Sequence, residues 1–202
     1  MDARTWFETA TEGFLALLPG LAGRLDDPGP GEWDVRSLLG RACRAFTTVE
    51  EYLTASGDGG PEELDSPRAY YLAASGSLAD PAHVRRRGIE TGRELGAEPL
   101  TAAHVIARRV VDTVRETPDE AVLATPLGPM RLSGYLPTRA FELTVHSLDL
   151  ARATAQSEPP GLVAARAPAL HLSLDLATPE QQRLLLLACT GRESLSFSST
   201  PI

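Results

Sequence analysis

The chain has 202 residues, enough for one domain with its own core and a small appendage. Its 27 acidic residues outnumber 19 basic ones, for a net charge of -8, which argues against a nucleic-acid partner. No apolar run reaches the ~20 residues of a membrane span, no basic segment leads into an apolar one near the N-terminus, and two cysteines are too few for a disulfide framework or a four-cysteine zinc site. A cytoplasmic protein without a membrane partner is therefore expected. All the basic residues are arginine, which excludes lysine chemistry such as a Schiff base or a P-loop lysine. Cys43 and Cys189 both sit in apolar helical patterns, where an inert buried thiol is the default.

Residues 3–25 read as an amphipathic helix with Trp6, Phe7, Ala10, Phe14, Leu17, Leu18 and Leu21 inward, bent or ended by Pro19-Gly20. Residues 26–32, DDPGPGE, form a loop. Asp34 then caps a helix to about Ala55. Its apolar stripe is Val35, Leu39, Ala42, Phe46, Val49 and Leu53, bordered by Arg41, Ala45, Thr48 and Tyr52. Residues 56–67 form a second loop, and a short helix follows from Pro67 to Ala74. Asp80 and Pro81 suit the N-cap and first position of another helix, whose Arg85-Arg86-Arg87 run reads as solvated. A long helix from Pro99 or Thr101 to Glu116 packs Val105, Ile106, Val110, Val111 and Val114, and its His104 reads as structural. Ala121 to Leu132 reads as two extended pieces around Pro126 and Gly128-Pro129.

Pro137 to Ala151 is the most informative stretch. Pro137 suits a first helical turn, and the residues after it read as a helix of about four turns. Tyr135, Arg139, Glu142, His146 and Asp149 fall in one stripe, while Leu136, Ala140, Phe141, Leu143, Val145, Leu148, Leu150 and Ala151 cover most of the rest. A helix this apolar is buried, and its polar stripe then needs water, a partner charge or a metal. The competing reading is a plain solvent face. Glu142 and His146, four apart, can grip one divalent cation, but a zinc site needs at least three protein ligands, so spacing alone leaves this site incomplete. Residues 157–161 are a Pro-rich break. Two helices, 162–176 with Pro168 inside and 179–190 with Gly191 as C-cap, lead to a short strand or frayed tail.

These elements predict a mainly all-α chain: a four-helix bundle with crossover connections, a small extended hairpin near 121–132 and short C-terminal helices. Residues 1–156 form the bundle, and 157–202 pack on it as an extension of the same domain. There is no G-x-G-x-x-G, P-loop, H-E-x-x-H or G-x-S-x-G.

Two blocks carry a resemblance. They are Trp33 to Arg44, WDVRSLLGRACR, and Gly128 to Ala151, GPMRLSGYLPTRAFELTVHSLDLA. Together they resemble the mycothiol-dependent maleylpyruvate isomerase family, within the DinB-like four-helix bundles, over roughly residues 5–190. The lysine-free composition suits the high-GC bacteria that use mycothiol. The resemblance implies zinc or another divalent metal on Glu142, His146 and a histidine that ends the pattern W-x-V-R-D-L-x-x-H. It also implies mycothiol as the thiol the metal activates. Where that histidine belongs, this chain has Arg41. Cys43 faces about 160° away on an ideal helix, and nothing in the sequence places His104 nearby.

A guanidinium is cationic at all accessible pH values and does not ligate zinc. The expectation is that Arg41 stands in for the metal and forms a bidentate pair with Glu142. No cofactor is then expected, and His146 is left to bond Tyr52 or Asp149, or to act as acid or base. Family members also carry a C-terminal domain that contributes a catalytic arginine, of which at most a stub is expected here.

The favoured reading is an enzyme acting on a small molecule, with a degraded metal site and a biosynthetic setting. Catalysis falls to His146, Glu142 and Arg41, and substrate binding to Tyr52, Arg139, Thr48 and Asp149. Glu142 and His146 remain as an incomplete metal pair. The alternatives are a metal-dependent mycothiol isomerase or S-transferase, and a non-catalytic small-molecule-binding or regulatory module. A deep pocket between the second helix and the 137–151 helix would mark the enzyme, and a sealed core the module. An acidic bundle with apolar helices also suits a homodimer.

Overall fold

The first helix starts on Asp2, whose carboxylate accepts from the Thr5 backbone N–H at 2.9 Å. Helix α1 runs Ala3–Leu17, and Pro19 tightens the next four residues, Leu18–Leu21, into a 3-10 turn. The seven inward residues expected here, from Trp6 to Leu21, are all buried. Asp34 accepts from the Ser37 N–H at 2.7 Å and opens α2, Val35–Thr54. The other helices are α3 (Pro67–Ser77), α4 (Pro81–Glu94), α5 (Pro99–Glu116), α6 (Leu132–Ala153), α7 (Pro160–Leu176) and α8 (Pro179–Cys189). Between α5 and α6, β1 (Val122–Thr125) and β2 (Gly128–Arg131) form an antiparallel hairpin with Leu123 opposite Met130.

This computed structural model describes residues 1–55, 62–77 and 81–194, with 76, 77 and 81–84 described by backbone alone. The expected Asp80 cap, the first half of the 56–67 loop and nearly all of the C-terminal strand or tail lie outside the described residues. Among those described, no helix is long and apolar enough to cross a membrane.

Helix α6 is central and packs against α1, α2 and α7, while α2 also packs against α4 and α5. Phe46 of α2 meets Phe7 and Phe14 of α1 at 5.8 and 5.5 Å between ring centroids. Leu162, Ala165, Ala169 and Leu172 bury one side of α7. Arg4 satisfies the end of α5, donating to the carbonyls of Val114 and Thr117 and pairing with Asp119 at 2.6 Å. Arg24 donates to the Thr154 carbonyl at the end of α6. The mainly α bundle with a small hairpin is therefore as the sequence predicts.

The approach of α4 to α2 depends on having no side chain at Gly40. A Cβ there would run into the Gly92 nitrogen and the Gly88 carbonyl oxygen. Overfilling a packed contact costs typically about 1–3 kcal/mol. Gly40→Ala is expected to destabilise the fold by about 2 kcal/mol in a urea melt. An unchanged midpoint would mean that α4 yields freely.

Three expectations need correction. Helix α6 begins at Leu132 rather than Pro137. It leaves β2 directly, because the fully buried Leu132, Tyr135 and Leu136 extend the helix upstream of the proline. Pro137 then sits in the second turn and forgoes only the bond to the Ser133 carbonyl. Val105 is 53% exposed, since α5 turns Ala103, Ala107, Val110, Val111 and Val114 inward instead. Cys189 is exposed because α8 buries no residue. Cys43 is buried as expected, and burial pushes its thiol up to about 12.

Candidate functional site

The cap at Asp34 sets the phase of α2, and that phase turns Arg41 toward α6. Burial of the apolar faces of α6 turns Glu142 and His146 back toward α2. The Arg41 guanidinium donates from Nε to His146 Nε2 at 2.8 Å. Its Nη2 lies 3.8 Å from Glu142 Oε2. Glu142 Oε2 is in turn 3.1 Å from His146 Nε2. Arg41 also lies over the Trp33 ring, 5.7 Å from its centroid. The bidentate Arg41–Glu142 pair is thus corrected: Arg41 bonds the imidazole, and the carboxylate stands at ion-pair distance. The stripe on α6 is no plain solvent face, since Tyr135, Arg139 and His146 are buried.

His146 Nε2 is contested. In the neutral imidazole it accepts from Arg41, and the proton sits on Nδ1, 3.5 Å from Asp149 Oδ2. In the imidazolium it donates to Glu142 instead, and Arg41 must turn away. Burial presses the His146 pKa down, but the Asp149 and Glu142 carboxylates outweigh it, so the group titrates above an ordinary histidine. Burial likewise raises Glu142, yet His146, then Arg139 and Arg41, hold its carboxyl well below the usual carboxylate range. Burial lowers the Arg41 pKa from its ordinary value, against the pull of Glu142.

Other expected residues are placed differently. Tyr52 does not bond His146; its ring packs on Tyr135 at 5.7 Å between centroids. Thr48 donates to the Arg44 carbonyl at 2.7 Å and lies beside the Tyr135 hydroxyl. Arg139 is one turn from the triad, its guanidinium over the rings of Tyr135 and Tyr70 at 4.8 and 5.5 Å. Burial presses its pKa down, but Tyr135, Tyr70, Tyr71 and Glu142 outweigh that, and it stays cationic. His104 is exposed on α5.

Tyr71 of α3 was not foreseen. Its hydroxyl donates to Glu142 Oε1 at 3.1 Å, and its ring meets Phe141 at 5.7 Å. The sequence offers only a Tyr-Tyr doublet in a short helix, with no spacing that links it to residue 142.

Arg41, Glu142 and Asp149 keep 22, 25 and 34% of their side chains exposed, so the cluster is partly open to solvent and not a sealed core. A groove of about 480 Å³ lies elsewhere, lined by Trp6, Pro137, Pro168 and His171 among others. Pro137 and Glu142 stand about 140° apart around α6, so that groove is separate. Among the described residues, no three His, Cys, Asp or Glu side chains group as a metal site. Glu142 and His146 supply two ligands where zinc takes at least three, and a guanidinium abuts the nitrogen that would face the ion. This donor set does not fit a zinc ion.

The family model described as mycothiol maleylpyruvate isomerase N-terminal domain matches residues 7–151. No curated protein and no solved structure matches the chain.

Proposed function

Because the chain belongs to the mycothiol maleylpyruvate isomerase N-terminal domain family, we propose that it is a metal-independent version of that DinB-like bundle, acting on a small organic molecule. The observation that carries this reading is the 2.8 Å bond from Arg41 Nε to His146 Nε2, a cation set against the imidazole that the family resemblance makes a metal ligand. The partial exposure of Arg41 and Glu142 supports access for a small substrate. Arg41 and Glu142 then orient it, and His146 serves as acid or base.

In the reading we favour, substrate draws the Arg41 guanidinium from His146 and frees Nε2 as a base. Nε2 takes a proton from the substrate. The imidazolium formed is held by Glu142 and Asp149, and Arg41 stabilises the negative charge left on the substrate. Elemental mass spectrometry of protein purified in added zinc and then dialysed tests this proposal. No stoichiometric metal is expected. One zinc per chain, lost in both Glu142→Gln and His146→Gln, would overturn it and restore the metal-dependent isomerase or S-transferase.

A further inference from the structure

Arg139 is a buried cation with too few partners. The residue is 9% exposed and lies among Tyr52, Tyr70 and Tyr135, none more than 9% exposed. Among the described residues it makes one hydrogen bond, from Nε to Thr138 Oγ1 at 2.9 Å, and no ion pair. Thr138 Oγ1 is itself committed to the Tyr135 carbonyl at 2.7 Å. The tyrosine rings cover the faces of the guanidinium and supply cation–π attraction. Among the described residues its two terminal nitrogens have no acceptor, and they are not fully enclosed. The Tyr135 hydroxyl, with Thr48 beside it, is also buried and makes no hydrogen bond of ordinary geometry among the described residues.

Buried donors without acceptors are costly, and a buried charge more so. Here the unpaired groups, the Arg139 edge and the Tyr135 hydroxyl, can both donate. The complement of such a place is a small group that only accepts and carries negative charge.

We propose that the Arg139 edge, with the Tyr135 hydroxyl, seats the oxyanion of a small ligand, a carboxylate or a phosphate. Arg139 is then a binding residue that positions the anionic end of the molecule about two helical turns from His146 and one from Glu142. The proposal rests on the small-molecule reading of this cleft, but it makes no use of Arg41 or of the absence of metal.

The test is thermal unfolding and calorimetric titration with acetate, fumarate and inorganic phosphate, against chloride at constant ionic strength. Parent protein is expected to rise in Tm with at least one oxyanion, and near-ultraviolet circular dichroism is expected to change as Tyr70 and Tyr135 respond. Arg139→Gln is expected to weaken binding about 10-fold or more, as suits loss of a charge-assisted bond, and Arg139→Lys less. Arg183→Gln, at an exposed ion pair on α8 away from the cleft, is expected to keep the response. A preference for acetate or fumarate identifies a carboxylate seat, and a preference for phosphate a tetrahedral one. No response in the parent, or an equal response in Arg139→Gln, would overturn the proposal. If Arg139→Gln does not fold, Arg139→Lys and the parent dichroism decide. Stoichiometric zinc in the purified protein would sink the metal-independent reading and leave this seat standing.

Discussion

Arg41→His is expected to convert the chain into a zinc protein that keeps a stoichiometric equivalent through dialysis. The geometry for this is already present. Glu142 Oε2 and His146 Nε2 stand 3.1 Å apart, close to the edge of about 3.3 Å in a tetrahedron with metal bonds of about 2.0–2.1 Å. Arg41 Nε already touches His146 Nε2, and the Nε2 of an imidazole reaches about as far from the backbone as the Nε of arginine. The substitution therefore removes a repelling cation and adds a third donor at one stroke. Zinc binds only the folded site, so at 100 times its Kd it adds about 2.7 kcal/mol. For a chain of this length that is a rise of about 5–10 °C in Tm. Elemental analysis and melts with and without zinc read both effects. If the variant takes up no metal, residue 41 does not face the carboxylate and the imidazole as described.

Glu142→Gln is expected to cost about 2 kcal/mol near pH 5.5, a value suited to a charge-assisted network that keeps some solvent contact. The sign follows from the two titrations. The Glu142 pKa is held below its ordinary 4.5, so its stabilisation is present above that pH and is lost as pH falls through the lowered folded value. The His146 pKa is raised above its ordinary 6.5, so its share is present below that pH and is lost as pH rises through the folded value. Both act fully between about pH 4.5 and 6.5. The stability gap between parent and variant should peak there and narrow on either side. Urea melts across pH 3–9 measure it. A gap that stays flat with pH would show that the carboxylate and imidazole are not coupled.

The bundle was largely legible because its signals are local. Asp34 at an N-cap, Pro-Gly loops and an apolar stripe every three to four residues declare α2 without knowledge of what it touches. The start of α6 was not legible. Proline statistics favour a first turn, and only packing of Leu132, Tyr135 and Leu136 overrides them. Val105 and Cys189 misled for a related reason. An apolar side chain in a helical pattern is buried only when another element covers that face, and no local pattern says which face is covered.

The site divides in the same way. Helical spacing alone put Glu142, His146 and Asp149 on one stripe, and the identity of residue 41 alone put a permanent cation in the block that resembles a ligand-bearing one. Both follow from helix geometry and side-chain chemistry, which need no tertiary contact. Only the packing of α2 on α6 decided that Arg41 bonds the imidazole more closely than the carboxylate. Only the docking of α3 brought Tyr71 to Glu142 and Tyr70 to Arg139 across some seventy residues of chain. Contacts over such separations depend on how whole helices seat on one another, and periodicity within one helix carries no record of its neighbours.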